Sequence, residues 1–194
     1  MTNRRFLFLL GSSRHGGNTE LLARRAAEQL PADVEQEWIS LVDHPLPDFP
    51  DLRHDGGYSA PDDPHARRLL DATLAATDLV IASPLYWYSV SGLTKRYLDH
   101  WSGWLRLPEA DFRGTMAGRT LWGVAAYASH ASLAEPLAGT LHHTAAFMKM
   151  RFGGVLLGNG TDRGDVLKDG EALTRAKTFF AEEAPPAVFP HQAG

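Results

Sequence analysis

The chain contains no cysteine. That excludes disulfides, thiolate catalysis and cysteine-ligated metal, and with them a disulfide-stapled secreted domain. Long apolar runs are also missing. The longest, Leu121 to Ala128, falls far short of a membrane span. Positive charge is not in surplus, because the net charge is −4 at pH 7, so counterion release gives no pull toward a phosphate backbone. A secretory leader is not expected: Arg4 and Arg5 precede Phe6 to Leu10, but this apolar run is too short for an h-region. The histidines form no H-E-x-x-H, and His44, Asp48, Asp51 and His54 fall in a proline-rich stretch without fixed geometry, so no metal is expected. These absences predict a cytoplasmic protein with no nucleic-acid or membrane partner, in which any bound anion is held by local groups.

What is present is the mixture of an ordinary folded protein, 44% hydrophobic and 22% charged over 194 residues. A single domain over 1–184 is expected, followed by a loose tail over 185–194. Phe6 to Leu10 is apolar without alternation, as in a strand covered on both faces. From Asn18 a helical stripe runs toward Leu30 and stops at Pro31. Val34 to Leu41 reads as a second, more polar strand. Pro45, Pro47, Pro50, Pro61 and Pro64 then mark an irregular surface loop. A helix is predicted from about Asp63 to Ala76, a strand over Leu79 to Ala82, and a helix carrying Leu93, Tyr97, Leu98 and Trp101 with Ser91 as its N-cap. Thr120 to Ala128 and Phe152 to Leu157 read as strands, Leu133 to Met148 and Leu167 to Ala181 as helices. The alternation implies an α/β fold, a parallel sheet with helices on both faces, whose ligands sit beyond the carboxyl ends of the strands.

Two loops occupy that edge. The first, G-S-S-R-H-G-G-N-T from Gly11 to Thr19, lies between the first strand and the first helix. A helix N-terminus offers unpaired N–H groups and partial positive charge. Ser12, Ser13, Asn18 and Thr19 add short donors, and Arg14 adds a fork suited to phosphate oxygens. Composition alone leaves an ordinary helix start, with Asn18 as cap and Arg14 in solvent, equally open. The loop lacks both G-K-[ST] and G-x-G-x-x-G, so a single phosphomonoester suits it better than a triphosphate or a dinucleotide. The second loop, S-P-L-Y-W-Y-S-V-S-G from Ser83 to Gly92, brings three adjacent aromatics to the same edge. A flat conjugated ligand would use them, and packing on a neighbouring helix or subunit is the alternative.

Together with G-D-V-L-K-D-G-E-A-L from Gly164 to Leu173, these loops resemble the NAD(P)H-dependent FMN reductase family of flavodoxin-like proteins, which includes quinone and azo-compound reductases. The resemblance spans nearly the whole chain and implies a flavodoxin-like, five-stranded parallel sheet. It implies FMN as cofactor and NAD(P)H as co-substrate, with free flavin, quinone or another small electrophile as acceptor. Ser12, Ser13, Arg14, Asn18 and Thr19 would hold the FMN phosphate. Pro84, Leu85, Tyr86, Trp87 and Tyr88 would flank the isoalloxazine, with Tyr127 to His130 as a second ring-side loop that includes Ser129. The flavin carries the chemistry, so no side-chain acid or base is required, and His130 is the candidate proton donor to an acceptor. Its alternative is a loop or capping residue. The chain departs from the family in Tyr-Ala-Ser-His after strand four, where many relatives are Gly-rich, and in His100, where Arg is common. A homodimer or homotetramer is expected from the resemblance and from the apolar faces of the third and fourth helices. Two other readings remain: a flavodoxin-type electron carrier, against which stand Arg14 and the modest charge, and a flavin-free phosphate-binding protein of the same fold.

Overall fold

The computed structural model describes residues 4–190. Five parallel strands, β1 (Arg5–Leu10), β2 (Glu35–Ser40), β3 (Asp78–Ala82), β4 (Thr120–Tyr127) and β5 (Arg151–Asn159), lie in the order β2-β1-β3-β4-β5. The six helices are α1 (Asn18–Ala27), α2 (Pro64–Ala75), α3 (Gly92–Trp104), α4 (Phe112–Met116), α5 (Glu135–Phe147) and α6 (Gly170–Ala176). This is the flavodoxin-like α/β arrangement.

The continuous apolar run of β1 is explained by its place at the centre of the sheet, where alternate side chains serve two cores. Phe6, Phe8 and Leu10 pack with α1 and α6 on one face, Leu7 and Leu9 with α2, α3 and α5 on the other. β2, at the edge, keeps only Ile39 fully buried. Asp63 caps α2 by accepting from Ala66 N at 2.8 Å, and Ser91 caps α3 by accepting from Thr94 N at 3.2 Å.

Three segments differ from the sequence reading. The last predicted helix is broken into a 3-10 turn at Asp165–Lys168, α6, and a 3-10 turn at Phe179–Ala181. Asp169 makes the break by accepting from both Ala172 N and Asn159 N, which restarts the helix and ties it to β5. α4 was not anticipated, because its five residues are too few to show a period. Part of the tail expected to be loose runs along β5, with Phe152 N donating to Pro185 O at 2.9 Å and Ala187 N to Met150 O at 3.0 Å. Positions 191–194 of that tail lie outside the described residues. Among the described residues no helix is long and apolar enough to cross a membrane.

Candidate functional site

The chain leaves β1 for a detour to β2 on one side and returns to β3 on the other, so the crevice between the carboxyl ends of β1 and β3 is the switch point of the sheet. Both loops singled out above open there. In the first, Gly17 precedes α1 with no side-chain cap, which leaves first-turn N–H groups facing outward. Gly16 takes a left-handed φ of 63°, which turns its N–H onto Glu20 Oε2 at 2.7 Å. Burial opposes the Glu20 charge, but the Gly16 N–H and Arg24 outweigh it and hold the carboxyl below its ordinary pKa. Ser12 Oγ accepts from Arg14 N at 3.2 Å. The Arg14 guanidinium itself has no hydrogen-bond or ion-pair partner among the described residues. A fixed cation beside open helix N–H groups is an anion site in the chemical sense.

The second loop is fastened to the first. Ser83 N donates to Val124 O at 2.9 Å, Ser91 N donates to Ser83 Oγ at 2.9 Å, and Ser91 Oγ donates to Gly11 O at 2.6 Å. At its tip Tyr86 N and Ser89 N exchange bonds with Ser89 O and Tyr86 O, at 3.0 and 3.1 Å. The central residues Trp87 and Tyr88 have φ of 48° and 65°. Left-handed non-glycine residues cost on the order of 1–3 kcal/mol each.

A cavity of about 170 Å³ lies where these loops meet. Ser12, Arg14, Gly17, Asn18 and Thr19 form its phosphate-loop side, Pro84, Leu85 and Tyr86 a second wall, and Ala126 and Ala128 a third. Leu85 N donates to Ala126 O at 3.4 Å, so the second and third walls adjoin and give the cavity an apolar side. Gly160 and Thr161, after β5, close the remaining side. They were missed by sequence reasoning, although their position at the carboxyl end of a strand is the signal that selected the other loops. Arg163 was missed for the same reason: its Nε donates to Gly16 O at 3.0 Å from a residue far away in sequence, and it pairs with no described carboxylate.

The structure sorts the expected site residues. Ser12, Arg14, Asn18, Thr19, Pro84, Leu85 and Tyr86 line the cavity. The Asn18 side chain, however, is taken: Nδ2 donates to Asp162 O at 2.9 Å and Oδ1 accepts from Gly164 N at 2.8 Å. It pins the 160–164 loop and leaves its backbone to the cavity. Ser13, Trp87 and Tyr88 are exposed outside the cavity wall. Tyr127 lines a different cavity with Asp169 and Arg175, because adjacent residues of a strand point to opposite sides. Ser129 and His130 are exposed and line neither, and His130 precedes a 3-10 turn without a side-chain capping bond. His100 reaches Pro47 O at 3.0 Å and packs edge-on to Phe49, so it fastens the proline-rich loop to α3.

A larger cavity of about 630 Å³ lies at the amino ends of the strands. Its cations are committed: Arg4 to Asp78, Arg119 to the carbonyls of Leu74 and Ala76, Arg151 to the carbonyl of Ala184. Size favours that cavity, and free polar chemistry favours the smaller one.

Comparison with known proteins places the chain in a family. The family model described as NADPH-dependent FMN reductase matches residues 4–160. The chain is 34% identical over 172 residues, 88% of its length and 93% of the relative's, to YwqN of Bacillus subtilis, a protein provisionally named an NAD(P)H-dependent FMN-containing oxidoreductase. Among solved structures it is similar to the Trp repressor binding protein from Bacillus subtilis, with TM-score 0.72 and 28% identity over 92% of this chain and 99% of that one. It also shares its fold with an FMN-dependent NADH-azoreductase from Bacillus anthracis solved in complex with FMN, with TM-score 0.64 and 14% identity over 90% and 96% of the two chains.

Proposed function

The chain belongs to the NADPH-dependent FMN reductase family, and from that premise we propose that it is an FMN-dependent NAD(P)H oxidoreductase. Its acceptor is free flavin, a quinone or another small electrophile. The observation that carries the reading is the Arg14 guanidinium, unpartnered among the described residues, in a cavity whose other walls include the apolar Pro84, Leu85, Ala126 and Ala128. A flavin mononucleotide matches both features, with a phosphate for the cation and a conjugated ring for the apolar walls. When bound, the flavin supplies hydride chemistry, receiving two electrons from nicotinamide and releasing them to an acceptor.

The chain's own part is to bind and to orient. Arg14, Ser12, Thr19 and the first N–H groups of α1 hold the phosphate. Pro84, Leu85 and Tyr86, with the adjoining Ala126 and Ala128, form the apolar side for the ring. No described side chain is placed as an obligatory acid or base. The protein works as a homo-oligomer and in the cytoplasm on this reading.

Absorption spectroscopy of the purified protein followed by anaerobic NAD(P)H titration tests the proposal. Flavin absorption that bleaches on adding NADH or NADPH is expected. Flavin absorption without bleaching would favour an electron carrier, and no flavin binding would leave a phosphate-binding protein of the same fold.

A further inference from the structure

One peptide of the phosphate loop, Gly16–Gly17, is held from outside the loop. Its carbonyl, Gly16 O, accepts from Arg163 Nε at 3.0 Å, and the guanidinium lies so close over Gly16 that a Cβ there would collide with Nη2. The Arg163 side chain is exposed, but its backbone has a fixed base. Asn18 Nδ2 donates to Asp162 O at 2.9 Å, Asn18 Oδ1 accepts from Gly164 N at 2.8 Å, and Gly160 N donates to Tyr127 O at 2.9 Å. Glu20 does not do the same work. It accepts from Gly16 N, which belongs to the preceding peptide, and leaves Gly16–Gly17 free to turn. Two successive glycines make that turn easy, because a half rotation changes only ψ of Gly16 and φ of Gly17, and glycine accepts either sign of φ.

The two faces of this peptide have opposite meaning for an anion. A trans peptide directs its N–H opposite to its C=O. With Gly16 O turned to Arg163, the Gly17 N–H points away from Arg163, and Gly17 lines the cavity together with Ser12 and Arg14. That N–H has no acceptor among the described residues. In the flipped peptide the carbonyl would take its place and repel a phosphate. We infer that Arg163 is a positioning residue for the anion site: it holds the Gly16 carbonyl outward, so that the Gly17 N–H is presented to the phosphate. The inference rests on the flavin reading for the identity of the anion, and it deepens that reading by giving the orientation of the loop before α1 to a residue that follows β5.

The test uses the full chain with Arg163→Met, which keeps the stem and loses the donors, with Arg163→Lys, and with Arg163→Met placed in a Gly17→Ala background. Alanine fits at position 17, where φ is −76° and a Cβ meets no atom nearer than 3.7 Å. It disfavours the flipped peptide, whose φ at 17 is positive. In Arg163→Met the Kd for FMN, read by flavin fluorescence, rises about fivefold, the worth of one hydrogen bond. Riboflavin, which has no phosphate, binds as it does to the parent. Arg163→Lys recovers most of the FMN affinity, and in the Gly17→Ala background the loss caused by Arg163→Met is much smaller. A readout that needs no flavin is the Gly17 amide of isotope-labelled protein titrated with inorganic phosphate. Its proton resonance moves downfield in the parent and in Arg163→Lys, and the movement is largely lost in Arg163→Met. Unchanged FMN affinity in Arg163→Met, or equal losses for FMN and riboflavin, would overturn the assignment. So would a loss undiminished by Gly17→Ala with the Gly17 amide responding as in the parent, which makes Arg163 a through-space cation. If the flavin reading itself were wrong, the parent would bind neither flavin, while the phosphate titration would still show whether Arg163 sets the Gly17 amide.

Discussion

A free arginine beside a helix N-terminus is a residue without a purpose in the folded chain alone. The Arg14 guanidinium has no hydrogen-bond or ion-pair partner among the described residues, so its loss should leave folding intact and act on the ligand. Arg14→Ala is expected to weaken FMN binding by about 1.5–3 kcal/mol, the worth of a charge-assisted hydrogen bond. Flavin fluorescence titration checks this, with riboflavin, which lacks the phosphate, as control: its affinity should hardly change. Glu20 plays the opposite part, because it acts on the loop and not on the ligand. Its carboxylate accepts from Gly16 N and pairs with Arg24 at 2.8 Å, and its pKa in the folded chain is lowered. A group lowered on folding contributes stability that is fully present above its unfolded value and is lost as pH falls through the folded one. The phosphate loop should therefore hold at neutral pH and loosen in acid, below the ordinary glutamate value of 4.5. Glu20→Gln should cost about 1 kcal/mol at pH 7. Melting curves across pH should show that difference shrinking as the parent Glu20 becomes protonated.

Elements were more legible than their junctions. Strands β1, β3 and β4 could be read because central parallel strands are apolar on both faces, α2 because Leu69, Leu70 and Leu74 share one side, and α3 because its cap Ser91 stands where a helix start needs it. The cavity's first two walls were legible for a related reason: loops at strand carboxyl ends carry their glycines, serines and aromatics in contiguous stretches. The wall from Gly160 and Thr161, and Arg163 beside it, was not, since only the topology of the sheet brings residues after β5 to a loop near the N-terminus. Nor could the sequence separate Tyr86 from Trp87 and Tyr88, because the left-handed turn that splits them is disfavoured by those very residues. At the junction of β3 and α3, Ser91 serves three ends at once: it caps α3, receives the loop through Ser83 Oγ, and donates to Gly11 O. Only the hydroxyl functions are lost in Ser91→Ala. That variant is expected to cost about 1–2 kcal/mol, the worth of an N-cap, and to lower the melting temperature by roughly 2–8 °C. FMN affinity should fall with it, since the same hydroxyl joins the two ligand loops, and calorimetry with and without FMN separates the two effects.

At the scale of the whole molecule, each face of the sheet has its own core, and the outer surface of one layer is unusual for a protein that meets only water. Along α5 the outward positions Pro136, Thr140, His143 and Phe147 recur at helical spacing and include no Asp, Glu, Lys or Arg. Phe147 is 48% exposed, and Arg113 covers one face of its ring at 4.7 Å. Next to it, Leu98, Trp101 and Leu105 of the α3 region and Met148 line an apolar groove of about 380 Å³, with Phe189 at its edge. A self-complementary pairing across a two-fold axis would bury this uncharged stripe twice over, and a second copy of the chain is the partner always present at matching concentration. The protein is therefore expected to elute in gel filtration well above its 21.3 kDa monomer mass. Phe147→Glu places a charge where the stripe meets the groove without opening the core, because the side chain is half exposed already. It should shift the protein toward monomer at micromolar concentration while leaving its melting temperature, extrapolated to high dilution, nearly unchanged. Elution of the parent protein at the monomer volume would remove this face from consideration as an interface between copies.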